Sequence, residues 1–339
     1  MTTHQVFCSV SDLIADMDMP GGDEARLYQA IREASQTVRD EIGDFIPVTR
    51  TFKMRGNGKD YLYPFPPILS LTSITNDDTA LTENTDFVFM RQMWENGPYI
   101  GMERLSDSPN ASNWCDTDPD SIVIVGETGL YSRKVATGAT LSATITDTAA
   151  EMTVSNGSKV SPGMIVEIGT EKILITGWGD PTASVTTLAA ALDATSDQAT
   201  MTSAADLNAG ETLRLDFENV RLRAKRTNLT SLTRNWNNTG QVAHLIATAV
   251  DVYRTVTIER GVNGTTAASH ASGAAISRYV VPDNIFKLVK KMAVLGINQA
   301  NTGYAGKSGD AEQGTVYYHD LYPRWDLERL KAEYWLAKS

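Results

Sequence analysis

Cysteine, histidine and long apolar runs are all scarce in this chain, and each shortage removes a class of function. Only Cys8 and Cys115 occur in 339 residues, too few for a disulfide framework and without the paired spacing of a zinc site. That usage suits synthesis in a reducing cytoplasm. No stretch approaches the ~18 uninterrupted apolar residues of a membrane helix, and residues 1–7 lack the basic and apolar regions of a secretory signal. Basic residues are in deficit: 30 Lys+Arg stand against 41 Asp+Glu, a net charge of −11. Residues 139–279 hold 13 acids and 11 bases, or −2, so the flanks keep 28 acids and 19 bases, or −9. This argues against a broad basic face for the nucleic-acid backbone. It suits a surface that DNA passes without adhering, or simple solubility.

What the chain does have is a gapless internal repeat. Thr140 and Leu141 answer Thr187 and Leu188, 47 positions on, and Val160 and Gly163 answer Leu207 and Gly210. Val166, Ile168, Glu171, Ile173 and Ile175 answer Leu213, Leu215, Glu218, Val220 and Leu222. Alternating apolar residues around matched glycines describe one small β unit used twice. The expected insertion is an all-β region over residues 139–280, with repeat 1 at about 139–185 and repeat 2 at about 186–280. A polar excursion over residues 225–241 is expected to interrupt the second copy.

The flanks carry helical periodicity. Ser9 or Ser11 can cap a short helix over residues 12–17. Leu27, Ile31, Ala34, Val38 and Ile42 recur at helical spacing over residues 23–43. Residues 49–55 and 61–65 flank Gly56-Asn57-Gly58-Lys59, which predicts a β-hairpin. Strands follow over residues 68–74, 86–90 and 121–126, with residues 91–120 expected as a long surface loop or arm. Ile285, Leu288, Val289, Met292 and Leu295 predict a helix from Pro282 to about residue 300. A linker over residues 302–310, a short strand or arm over 315–319 and an amphipathic helix over 325–337 close the chain.

Candidates for chemistry are few. None of His4, His244, His270 and His319 lies near another metal-ligating residue at useful spacing, so structural or solvent roles are expected. The Gly-Lys-Ser within residues 303–309 lacks full P-loop spacing and reads as a linker. Asp116, Asp118 and Asp120 alternate as in a calcium loop, without its glycine or closing glutamate, and read as a solvated turn. No catalytic, cofactor-binding or metal-ligating set emerges. The candidate interface is the aromatic C-terminal helix, with Tyr322, Trp325, Leu327, Leu330, Tyr334 and Trp335. Large aromatics concentrate at interface centres, although docking on the chain's own core explains them equally well.

The order Leu27, Ala30-Ile31, Ala34-Ser35, Val38, then Phe45-Ile46-Pro47, then Tyr63-Pro64-Phe65-Pro66-Pro67-Ile68-Leu69-Ser70-Leu71 resembles the head–tail connector (adaptor) proteins of long-tailed bacteriophages. The closing order fits too: a helix, Ser308-Gly309-Asp310, Val316-Tyr317-Tyr318 and a short last helix. Ile168-Gly169-Thr170-Glu171 and the stretch from Arg260-Gly261-Val262-Asn263-Gly264-Thr265 to His270 are similar to a unit common in phage virion proteins.

The resemblance implies an α+β multidomain chain. Its helical connector core is discontinuous, over residues 1–138 and 281–339, and includes a β-hairpin; two tandem β repeats are inserted in it. It also implies a dodecameric ring beneath the portal, in the neck of a virion assembled in the host cytoplasm. Genomic DNA passes through without specific binding, a neck, stopper or tail protein docks below, and no membrane is involved. The competing readings are a virion adhesin or carbohydrate-binding β-module protein, and a hydrolase with a dispersed site.

Overall fold

The computed structural model describes residues 3–17, 23–110, 113–301, 307–310, 314–317 and 321–334. Two helices open it, α1 (Val10–Met17) and α2 (Glu24–Glu41). Ser9, rather than Ser11, caps α1: its Oγ accepts the Asp12 amide while the Asp12 carboxylate accepts the Ser9 amide, a reciprocal box that satisfies orphan donors. Asp23 caps α2 by accepting the Arg26 amide at 3.2 Å.

Seven strands follow: β1 (Val48–Met54), β2 (Tyr61–Leu62), β3 (Ile68–Asn76), β4 (Thr79–Leu81), β5 (Phe87–Phe89), β6 (Met102–Arg104) and β7 (Ile122–Thr128). The first inserted module begins with β8 (Arg133–Thr140), β9 (Glu151–Thr153), β10 (Ile165–Ile168) and β11 (Glu171–Trp178). The second comprises β12 (Thr182–Thr187), β13 (Gln198–Thr200), β14 (Thr212–Leu215), β15 (Glu218–Arg226), β16 (Leu229–Trp236) and β17 (Ala249–Val252). Then come β18 (Thr255–Glu259) and β19 (Ala275–Val280), α3 (Asp283–Asn301), the ribbon β20 (Lys307–Asp310) with β21 (Gly314–Tyr317), and α4 (Leu321–Tyr334).

Both ends of the chain enter one core. Leu27, Ile31, Ala34 and Val38 of α2 share a buried cluster with Ile285, Leu288, Val289 and Ala293 of α3, and with Leu330 and Tyr334 of α4. Each such aliphatic side chain contributes about 1.5–3 kcal/mol when removed from water. The N-terminal segment, from Val6 to Val10, and Phe45 and Ile46 join the cluster, as do Ile165, Leu174 and Val262 of the first β module.

The expected α+β architecture with a helical connector core does not hold, because the molecule is mainly β: 20% helix and 38% strand. Residues 48–128 build sheets instead, in the orders β1-β7-β3-β4 and β2-β6-β5, around a separate core that includes Leu62, Phe87, Met102 and Trp114. β-branched alternation in β7 (Ile122, Val123, Ile124, Val125) places it at the centre of the larger sheet, between β1 and β3. The predicted hairpin across Gly56–Lys59 is absent as well. β1 pairs with β7 and β2 with β6, while the amides of Gly56 and Gly58 donate to the carbonyls of Cys115 and Trp114. A Cβ on Gly56 would stand 2.1 Å from the Cys115 oxygen, so this glycine serves close backbone approach and not a hairpin turn. Nor is 91–120 merely a surface loop: it contains β6, and Trp114 within it is fully buried.

The two β repeats are nested and not tandem. β18 pairs with β11 and β9, and β19 with β10 and β8, so the first module resumes after the second is complete. The sheet orders are β8-β19-β10-β11-β18-β9 and β12-β17-β14-β15-β16-β13. They are the same order once β18 is matched to β16 and β19 to β17. One whole module therefore sits inside the β11–β18 hairpin of the other, at the place where its own β15 and β16 join by a short turn. The polar excursion at residues 225–241 falls largely on that β15–β16 hairpin and interrupts nothing.

Candidate functional site

The duplication extends to a polar node that residue spacing does not reveal. Glu171 and Glu218 are both buried at the start of β11 and β15. Arg234 clasps Glu218 in bidentate fashion at 2.7 and 2.6 Å, His244 Nε2 lies 3.0 Å from it, and the amides of Asn235 and Val242 donate to it. Arg260 clasps Glu171 at 2.7 and 2.7 Å, His270 Nε2 lies at 2.8 Å, and the amides of Gly261 and Ala268 donate. Arginine and histidine recur 26 positions later in the first module (Arg234 to Arg260, His244 to His270), because that half of the module lies beyond the insertion.

Electrostatics explains the clasp. Burial alone would raise the Glu218 pKa, but the Arg234 and His244 hydrogen bonds and two backbone amides outweigh it and hold the carboxyl at about 2, against an ordinary 4.5. The same opposition leaves Glu171 lowered. Fully engaged carboxylates of this kind brace a loop and offer no oxygen for acid–base work.

A second lock ties the first module to the neighbouring sheet. Lys172 is buried, donates to Glu127 Oε1 at 2.6 Å and to Thr49 Oγ1 at 3.3 Å, and lies over the Tyr279 ring. Burial, then the Glu167 carboxylate to which Tyr279 donates, push that phenol well above its ordinary range. Between modules, Glu211 receives Arg254 at 2.7 and 2.9 Å and the Gly157 amide at 3.0 Å. The second module also reaches the helical layer, where Asn237 donates to Glu24 of α2 at 3.2 Å.

The six candidate interface residues do not form one surface. Leu330 and Tyr334 are core anchors, Tyr334 standing edge-on to Phe45 and Trp94 at 5.0 and 5.2 Å. Leu327 is half-buried against the same cluster. Trp325 is 66% exposed. Tyr322 belongs to α4, but its side chain lies outside the described residues, as does Trp335 altogether.

Other candidates resolve locally. Asp120 pairs with Lys53 at 3.2 Å, and Asp118 accepts the Asp120 amide. His4 meets Glu259 at 2.8 Å; His319, and residues 302–306 of the glycine-rich linker, lie outside the described residues. Among the described residues, no group of three or more His, Cys, Asp and Glu could hold a metal, and no helix is long and apolar enough to cross a membrane.

Among the described residues, the two most exposed large apolar side chains stand at the tip of the second module, with a third beside them. Phe217 is 91% exposed, Leu245 78% and Ile246 63%. Their loops are drawn together by Asp216 Oδ2 and His244 Nδ1 at 2.9 Å. No sequence pattern marks them, because isolated apolar residues in loops carry no period. Comparison with family models, curated proteins and solved structures gives no match for this chain.

Proposed function

We propose that this chain is a structural virion protein that joins the portal of a phage head to the neck or tail, as a ring extending the DNA channel. The observation that carries the reading is the shared core of the two ends. Side chains of the N-terminal segment, α1, α2, α3 and α4 share one core, in the order in which the sequence resembles head–tail connectors. The first module joins that core through Ile165, Leu174 and Val262 and is tied to the neighbouring sheet by Lys172–Glu127, while the second reaches α2 through Asn237–Glu24. Rigid modules on a common base suit assembly, where surfaces must be held in fixed relation.

Two further observations support it. Each described histidine gives at least one ring nitrogen to a carboxylate, which suits bracing better than hydrolysis. The acid excess, −9 of it in the flanks, suits a channel through which DNA slides, since phosphate is held by clustered cations. The test is sedimentation of the full chain with and without the portal of the same phage. Assembly into one large species that co-sediments with portal is expected. A chain that stays monomeric and ignores portal contradicts the reading.

A further inference from the structure

We propose that the apolar tip of the second module seats in the α2–α3 groove of an adjacent copy of this chain, a head-to-tail contact that closes the ring; this rests on the ring reading above. The tip's chemistry is the first ground. Phe217, Leu245 and Ile246 correspond to Thr170, Ala271 and Ser272 in the first module. The same fold closes over those small or polar residues, so folding does not require the large apolar side chains. Clustered apolar exposure of this kind marks an interaction surface.

The groove is the second ground. It lies between α2 and α3, has a volume of about 350 Å³ and is floored by Ala30, Ala34, Ala293 and Gly296. A Cβ on Gly296 would meet nothing within 4 Å, so the groove is open there to an incoming side chain. The same polypeptide thus carries large exposed side chains and a receptor whose floor is apolar and whose rim holds Arg26, Gln29, Glu33 and Thr37. Charge agrees at one rim, where exposed Arg26 can meet the half-exposed Asp216 carboxylate of the tip; Glu33 marks the other side of the groove.

Placement is the third ground. The second module touches α2 at Glu24, whereas Arg26 borders the groove. Two residues along an α-helix turn about 200°, so module and groove occupy nearly opposite flanks of α2. The module's attachment through Asn237 thus leaves the groove of its own chain uncovered, and contact between two different surfaces, tip and groove, is heterologous, which forms rings when the rotation closes.

The test uses the full chain. Phe217→Ser with Leu245→Ser, and separately Gly296→Leu, should each raise the concentration needed for assembly roughly tenfold or more, as loss of a central apolar anchor does. Melting temperature should not fall and circular dichroism should keep the wild-type shape, because all three sites are open to solvent or to the groove and leucine favours the helix more than Gly296 does. Phe217→Cys combined with Gly296→Cys should give disulfide-linked ladders on oxidation, beyond dimers, that neither single variant gives.

Rings that form from these variants at wild-type concentration overturn the proposal and leave the connector reading intact. Linkage through Phe217→Cys alone shows tip meeting tip and overturns it. Loss of portal binding with rings preserved assigns the tip to another virion protein and overturns it also. A wild-type chain that never assembles removes both this contact and the ring.

Discussion

Glu171 and Glu218 hold the same place in two copies of one module, each buried and each gripped by an arginine on or just beyond the neighbouring strand and a histidine of the loop that follows. The grip joins the strand that opens the central hairpin to the long loop before the last strand, so it holds together the two halves that an insertion could separate. In the first module an entire second module intervenes between those halves, yet Arg260 still returns to Glu171 at 2.7 Å.

Arg234→Leu should therefore damage the second module severely. It leaves Glu218 buried without its countercharge, a change that costs about 3–5 kcal/mol. Denaturant unfolding followed through Trp236, which lies in the same module, would show an early transition, while the first module keeps its stability. An unchanged transition would mean that the clasp contributes little.

Acid should weaken the same module. The Glu218 carboxyl titrates at about 2 when folded and near 4.5 when unfolded. A group lowered by folding contributes stability that is complete above the unfolded value and is lost as pH falls toward the folded one. Melting temperature should thus decline between pH 4.5 and about 2. Glu218→Gln should start lower and decline less steeply over that range.

The lock between module and sheet predicts an asymmetry. Glu127→Ala strands a buried ammonium and should cost about 3–5 kcal/mol, whereas Lys172→Met keeps the packing and leaves a carboxylate that water still reaches. Lys172→Met should therefore be the milder variant by calorimetry. Equal losses would indicate that packing, not charge pairing, governs the site.

The C-terminal helix separates into anchor and surface. Tyr334→Ala removes a ring packed on Phe45 and Trp94 and should cost about 3–5 kcal/mol, the range of large core truncations. Trp325→Ser, at a largely exposed position, should change stability by less than about 0.5 kcal/mol. On the connector reading proposed above, the same variant should weaken binding to portal measured by interferometry; unchanged binding places Trp325 outside that contact.

Much of the local structure was legible, and most of the topology was not. The stripe Leu27, Ile31, Ala34, Val38 identified α2 and its buried face because a helix repeats its environment every few residues. The 47-residue repeat marked β10 and β11 and their counterparts β14 and β15 but not the module's closure, since the outer partners of β10 and β11 lie beyond the insertion, where the register changes to 26 positions (Arg234 to Arg260). The false hairpin at Gly56 arose because Asn and Gly signal a turn whether the chain reverses or merely passes a close neighbour. His244 and His270 read as isolated because their carboxylate partners, Glu218 and Glu171, are distant in sequence and adjacent only across a sheet.

Electron microscopy of the purified chain mixed with a phage portal protein encoded alongside it tests the proposed connector role most directly. The account predicts closed rings stacked coaxially on the portal, with β modules at their periphery and an open channel. Single particles without symmetry, beside portals that remain bare, would contradict it.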